Sequence, residues 1–475
     1  MIEFNPFFKR YRKGLKRVAV VYPNRYVGGV SNLGIQRLYY EVNKSPHHIA
    51  ERFYLDVFDG MRSVENGSEL REFDVALFSI QYEEDFFNAL KILRKSNFKG
   101  LKVAGGPCIT QNPFPALPLF DSAFVGEVEG VVLDVVENRG VEGLIPHSYR
   151  RRTANLDSEM RSQIVSEGAY GRALLVEIGR GCPRGCRFCI VRQIYSPTRW
   201  RSKEEIVSFA EENRELAEKI AIISPSPTDH PHFKEIVQDL RDLEFSVSPS
   251  SIRADRFDEE MAELLSDIKT LTIAPEAGTE KLREILNKDI EDEQIFNAVQ
   301  IAENAERVKL YFMFGIPGET KEDLDSIVEM VRRVRAMGKK VSVSINPLVP
   351  KPNTPFQWLP FGGDVEKSVE ENIRELEMKR EYLYSKLKTL CEVRVERIDA
   401  FAIQTVISRG DETVGRVLLK KPSLSYLLKS EFSRFLDKIP PEKELPWDRI
   451  EMGYKKRRLL REFEKAMEIA QLTQP

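Results

Sequence analysis

The residues best placed to do chemistry are three cysteines in the segment GRGCPRGCRFC, residues 179–189, which sets Cys182, Cys186 and Cys189 in a CxxxCxxC spacing. Only five cysteines occur in 475 residues, the other two being Cys108 and Cys391. An odd, clustered set suits a reducing compartment and metal ligation better than a disulfide framework. Three thiolates on one short loop can hold three irons of a four-iron cluster, leaving the fourth iron open to a chelating substrate or cofactor. A structural zinc ion needs a fourth protein ligand. The next histidine is His230, so zinc requires a distant donor.

The elements that must position this loop follow from the patterning. The chain carries 72 Lys+Arg against 74 Asp+Glu, a net charge of -2, and is 42% hydrophobic. That describes a globular chain of roughly two to four domains whose overall charge indicates no nucleic-acid partner. No apolar run approaches the roughly 18 residues of a membrane span. The N-terminus, MIEFNPFFKRYRKGLKR, is basic and aromatic but lacks the apolar core of a secretory signal. It reads as a surface arm over residues 1–16 of a cytoplasmic protein.

Over residues 17–140 the runs RVAVVYP, FYLDVFD, DVALFSI, KVAGGP and SAFVGE alternate with helical spacing. Near-continuous apolar runs are the mark of parallel strands covered on both faces. Such a doubly wound α/β sheet binds ligands at the carboxyl ends of its strands, here the turns holding Gly105, Gly106 and Gly126. Residues 141–171, with a basic stretch at 149–152, read as an exposed linker. Residues 172–360 carry six further strand-like runs: ALLVEIG, IAIISPS, FSVSPSSIRA, TLTIAPEAG, VKLYFMFGIPGE and KVSVSINPLVP. They suit a partial (β/α)6 barrel of the TIM type, with the cysteine loop at the end of its first strand. Residues 361–475 form a mostly helical C-terminal extension containing one strand-like run, CEVRVERID. Two histidines beside Asp229, His230 and His232, read as exposed loop residues, and Cys108 as a small buried one.

The CxxxCxxC loop, with the aromatic Phe188 before its last cysteine, resembles the radical S-adenosylmethionine superfamily. The resemblance implies that Cys182, Cys186 and Cys189 hold a 4Fe-4S cluster whose open iron is chelated by S-adenosylmethionine, and that an external electron donor such as ferredoxin or flavodoxin drives reductive cleavage to a 5'-deoxyadenosyl radical. It further implies that Ser250, Arg253, Glu276 and Arg283 meet the methionine and ribose parts, and that Gly315 and Ile316 form the adenine-contacting turn. The chain departs from the family in one place: after the second barrel strand it has SPSPTDH, residues 224–230, where many members have a Gly-Gly-Glu type segment. Ser224, Ser226 and Thr228 are the candidates to replace it. A doubly wound domain upstream of such a barrel resembles the cobalamin-binding subgroup, which makes the N-terminal unit a Rossmann-like cobalamin-binding-type domain. The Asp-x-His-x-x-Gly motif that supplies cobalt's lower ligand in better-known members is absent. Segments around Trp358, Arg409 and Trp447 resemble a group of cobalamin-domain radical proteins without assigned substrates.

Several functions remain open at this level: a cobalamin-dependent methyl transfer to an unknown substrate, a hydrogen abstraction with a cofactor-free N-terminal domain, and a non-catalytic iron-sulfur sensor. A methylthiotransferase needs three further cysteines for a second cluster, and only Cys108 and Cys391 remain.

Overall fold

A computed structural model describes residues 3–156, 160–420, 427–428 and 430–472. The first sheet contains β1 (Lys16–Tyr22), β2 (His48–Tyr54), β3 (Val75–Ser79), β4 (Leu101–Gly105), β5 (Ser122–Phe124) and β6 (Leu144–Ile145), in the order β2-β1-β3-β4-β5-β6. The first five are parallel and β6 is antiparallel. Because β1 lies between β2 and β3, the connections diverge on either side of it, and a crevice opens at the strand ends.

Two boundaries differ from the sequence reading. The second strand begins at His48, upstream of FYLDVFD, and overlaps that run only at Phe53 and Tyr54, because β2 includes Glu51 and Arg52, both buried. Their charges are matched inside the protein: Ser63 donates to Glu51 at 2.5 Å, and Arg52 pairs with Glu65 at 2.6 Å and Glu3 at 2.5 Å. The stretch read as an exposed linker instead supplies β6, and Gln163, Ile164 and Val165 within it are buried. Its basic run is mostly a staple: Arg151 donates to the carbonyls of Ile194, Ser196 and Met452. The N-terminal arm is also docked, through the Glu3 contact and a backbone bridge from Phe4 to Val165, while Phe8 and Tyr11 are exposed.

A short hairpin of β7 (Glu167–Gly168) and β8 (Gly171–Arg172) leads into a second α/β unit. Its strands are β9 (Leu174–Glu177), β12 (Lys219–Ile223), β13 (Ser246–Pro249), β14 (Thr270–Glu276), β15 (Arg307–Phe314), β16 (Lys340–Pro347) and β17 (Glu392–Val395); an antiparallel ribbon of β10 (Gly179–Arg180) and β11 (Arg199–Trp200) flanks the cysteine loop. All six expected strands are present, and the C-terminal run CEVRVERID adds a seventh, β17, parallel to β16. They form two parallel sheets, β13-β12-β9 and β14-β15-β16-β17, with no ladder between β13 and β14 among the described residues. The helix Lys456–Leu472 packs across the helix Glu280–Leu286. Parts of the C-terminal extension, residues 421–426, 429 and 473–475, lie outside the described residues. Among the described residues no helix is long and apolar enough to cross a membrane.

A charge network joins the two α/β units. Buried Glu127, after β5, receives Arg199 of β11 through both carboxylate oxygens, at 2.5 and 2.8 Å, and the Ala154 N–H at 2.8 Å. Arg180 of β10 joins Glu129 at 2.6 Å to Glu177 at 2.9 Å. Removing one partner of a buried pair leaves the other charge uncompensated, at a cost of about 3 kcal/mol or more. Glu127→Ala is therefore expected to lower the thermal midpoint of the full chain, measured by circular dichroism; an unchanged midpoint contradicts this role.

Candidate functional site

The cysteine loop leaves β9 and is closed at its base by β10 and β11. Gly181 takes φ +81° there, and a Cβ on it would stand 2.6 Å from the Tyr195 carbonyl oxygen, so the turn requires glycine. The three thiols are free. Burial raises the pKa of Cys182, although an N–H of Arg184 favours its thiolate. Burial also raises Cys186, against the pull of the Lys288 and Arg253 cations. Burial and then the Cys186 thiol push Cys189 up to about 12. The sulfurs are close enough for each to act on another's charge. Yet among the described residues no three His, Cys, Asp or Glu side chains converge on the position of one ion. Three thiols on one loop are a donor set for three irons of a cluster whose fourth iron stays open.

The residues between the cysteines anchor the loop. Arg184 pairs with Asp229 through both Nε, at 2.8 Å, and Nη2, and reaches Asp255 at 3.4 Å. Burial pushes the Asp229 carboxyl up, but the Arg184 guanidinium and the Ser226 hydroxyl hold it below its ordinary value. Arg187 is buried, donating to the carbonyls of Glu284 and Ile285 and pairing with Glu462 of the C-terminal helix at 3.1 Å. Asn287 donates to the Gly185 carbonyl at 2.9 Å, in a space that a side chain at 185 would fill.

The strand ends bring some of the expected residues to this loop and divert others. Glu276 ends β14 after a register shift, with φ +71°, a strained value for a residue with a side chain. Its carboxylate lies 3.1 Å from Lys288 and influences both Cys186 and Cys189. Arg253 acts on Cys182 and Cys186 while donating to Asp255 at 2.8 Å. Ser250 donates to the Ser224 carbonyl at 3.0 Å. Phe188 and Ile316 belong to one apolar cluster, and Gly315, at φ +74°, donates its N–H to Glu319 at 2.8 Å.

Arg283 does not fit a cofactor-ligand role. It is 1% exposed, and its guanidinium is engaged by the Ile290 and Ala277 carbonyls, at 2.7 and 2.9 Å, and by Asp292, so it braces the β14 turn. His230 is not an exposed loop residue: it is buried beside Trp200, with Nε2 2.9 Å from the Arg201 carbonyl oxygen. His232 is exposed. Ser226 is taken up by Asp229 at 2.6 Å, but the buried hydroxyls of Ser224 and Thr228 have no partner among the described residues. Lys288, Arg184, Asp229 and Asn287 were not singled out as site residues in sequence. The arginines inside the CPRGCRFC segment were the available signal, but their partners lie more than 40 residues away.

Between the two units lies a cavity of about 530 Å³, lined by Gly105, Gly106 and Gly126 on one side and by Arg180, Glu177 and Ser224 on the other. Gly106 and Gly126 are required by their own packing, since a Cβ would meet the Ile80 and Arg152 carbonyl oxygens at 2.6 and 2.1 Å; at Gly105 the nearest atom is 3.9 Å away. No histidine lines this cavity among the described residues; His48 pairs with Glu137 at the opposite edge of the sheet. Cys108 is buried beside the Gln81 carbonyl, and Cys391 donates to Leu387 next to β17. Asp229→Asn, which removes the carboxylate that receives Arg184, is expected to lower the iron bound per chain after anaerobic reconstitution, read by a colorimetric iron assay. Iron content equal to the unsubstituted chain contradicts the anchoring role.

Comparisons with known proteins identify the chain's family. The radical SAM superfamily pattern matches residues 176–331, and that of the N-terminal part of radical SAM proteins matches residues 34–153. An uncharacterized protein of Methanocaldococcus jannaschii is 38% identical over 449 residues, covering 90% of this chain and 96% of its own. The tRNA-2-methylthio-N(6)-dimethylallyladenosine synthase of Carboxydothermus hydrogenoformans is 28% identical over 34% of this chain and 40% of its own length. Among solved structures, Streptococcus suis SuiB bound to S-adenosylmethionine aligns with a TM-score of 0.33 and 12% identity, over 47% of this chain and 51% of that chain; so low a score carries no argument. With both family patterns in chain order and a relative matched over nearly its whole length, the chain belongs to the radical SAM superfamily.

Proposed function

We propose that this chain is a one-cluster radical enzyme: Cys182, Cys186 and Cys189 hold a four-iron, four-sulfur cluster, and S-adenosylmethionine is cleaved reductively against it, with electrons from an external donor such as ferredoxin or flavodoxin. The observation that carries the reading is the anchored three-cysteine loop at the end of β9, with cations and an acid from neighbouring strand ends acting on its thiols. The bound cluster supplies a low-potential electron that no side chain can deliver. The remaining tasks fall to this chain. Arg253 and Lys288 offer positive charge to the methionine carboxylate, and Glu276 accepts from the ammonium group or ribose hydroxyls. The Ser224 and Thr228 hydroxyls, buried without partners, take the place of the missing Gly-Gly-Glu type contacts. Leaving such a group unpaired costs about 1 to 3 kcal/mol, which a bound donor relieves. Phe188 and Ile316 supply an apolar wall, and the turn at Gly315 lets backbone approach the adenine.

The interdomain cavity supports a cobalamin-dependent methyl transfer as the reaction class. It lies at the strand ends where a doubly wound sheet takes its ligand, and a cobalamin bound there would meet the glycine turns at Gly105, Gly106 and Gly126 and supply a methyl carrier. A hydrogen abstraction with no second cofactor is the alternative favoured by Gly106 and Gly126, whose conformations are fixed by internal packing alone. A methylthiotransferase is disfavoured, because Cys108 and Cys391 sit in separate parts of the fold.

Two outcomes test these proposals. Anaerobic reconstitution of the full chain is expected to give an iron-sulfur absorbance band that the Cys182→Ala, Cys186→Ala, Cys189→Ala triple variant lacks; an unchanged band contradicts the cluster assignment. With cobalamin present, S-adenosylhomocysteine formed beside 5'-deoxyadenosine supports methyl transfer. 5'-Deoxyadenosine alone, with no cobalamin retained on gel filtration, supports hydrogen abstraction, and no turnover of S-adenosylmethionine supports a sensor.

A further inference from the structure

The inner wall of the barrel departs from what such folds ordinarily contain. In a closed barrel of this type the lumen is filled by layers of branched apolar side chains. Here β14, β15 and β16 alternate strictly: Leu271, Val308, Leu310 and Val343 are buried in the core shared with the outer helices, and the intervening positions are partly exposed and mostly polar. That second face also carries Met313, which packs in one apolar cluster with Phe188 of the cysteine loop, so it is the face turned toward that loop.

Register aligns these polar residues. Lys309 stands between Thr272 of β14 and Ser342 of β16, and the same row ends at Glu392 of β17. Glu392 is taken up by Arg307 at 2.9 Å. The Lys309 ammonium lies 4.8 Å from the Tyr311 ring centroid and has no ion-pair partner among the described residues. At the seam where β13 and β14 do not pair among the described residues, a second cavity of about 300 Å³ is lined by Lys219, Lys269, Ser246, Ser248 and Thr272, together with Asp267, whose carboxylate is taken up by Arg241 at 3.1 Å. Lys219 also lacks an ion-pair partner among the described residues. On the same face of β16, nearer the strand's carboxyl end, Asn346 Oδ1 is buried without a partner. Lys309 enters through its register neighbour Thr272, a residue of the cavity wall, so Lys219 and Lys309, each without an ion-pair partner among the described residues, flank a row of hydroxyls with spare donors.

We infer that this wall recognises the substrate: Lys309 and Lys219, with the hydroxyls of Thr272, Ser342 and Ser248, bind the phosphate group of a phosphorylated small molecule. Ammonium and hydroxyl donors together can satisfy the several acceptor oxygens of a phosphate, and charge-assisted bonds of this kind are the strong ones. The inference rests on the radical-enzyme reading for what happens at the other end of the substrate. Lys309 precedes Met313, near the end of β15, by four residues, so at about 3.3 Å per residue the phosphate lies roughly 13 Å below the strand ends. The substrate is accordingly an elongated molecule, with its phosphate deep in the lumen and its reacting carbon near the cysteine loop.

Isothermal titration of the reconstituted full chain with inorganic phosphate, and separately with acetate, tests the site. Saturable phosphate binding is expected, weakened about tenfold or more in Lys309→Gln, largely kept in Lys309→Arg, and stronger than acetate binding. Lys219→Gln serves as a second variant, and the thermal midpoint and iron-sulfur band report whether either variant is folded. Phosphate that fails to saturate, a folded Lys309→Gln chain that binds like the unsubstituted one, or acetate bound as tightly as phosphate each overturns the inference. The titration reads no turnover, so its failure leaves the cluster assignment standing, whereas absence of the iron-sulfur band from the unsubstituted chain fails that assignment alone.

Discussion

The structure depends on holding three half-buried thiols on a loop with little regular structure of its own. Between Arg180 and Val191 the cysteine loop has no helix or strand, so its shape has to come from outside. Arg184 and Arg187, inside the cysteine spacing, reach in different directions: one to the acids after the second and third barrel strands, the other to the helix after the fourth and to the C-terminal helix. The thiols themselves cannot hold the loop, since burial keeps all three on the neutral side of their ordinary titration. They become ligands by releasing protons as metal binds. The C-terminal extension is thereby part of the site, through Glu462.

The same constraint explains the junction between the two α/β units. Arg180 precedes the first cysteine by two residues and Arg199 pairs with it across the ribbon. Both arginines are matched by Glu127 and Glu129, at the ends of the N-terminal sheet. The base of the cysteine loop and the ligand end of the upstream domain are therefore fixed to each other by one set of ion pairs. The interdomain cavity opens beside them.

Much of this was legible in the sequence. The six apolar runs from ALLVEIG to KVSVSINPLVP all became strands, because parallel strands covered by helices keep a period that local composition reports. The cysteine loop was legible for a similar reason: its chemistry is contained in eleven consecutive residues. What escaped was set by distant pairing. Glu51 and Arg52 hid β2, since only their partners Ser63, Glu65 and Glu3 make a charged run tolerable in a core. Arg283 looked like a ligand because it follows the fourth strand, but the turn through Ile290 and Asp292 folds back onto it. Lys288 entered the site through that same turn. The alternation of polar and buried residues along β14, β15 and β16 was not read in the sequence, because which face a strand buries is set by what packs on it.

The central claim is that Cys182, Cys186 and Cys189 hold a cluster with one iron left for S-adenosylmethionine. Mössbauer spectroscopy of the iron-57 reconstituted full chain, recorded before and after S-adenosylmethionine is added, tests it most directly. The account predicts that one iron of each cluster changes its isomer shift on addition while the other three keep theirs. A spectrum in which every iron is unaffected, or in which the bound iron is mononuclear, would contradict it.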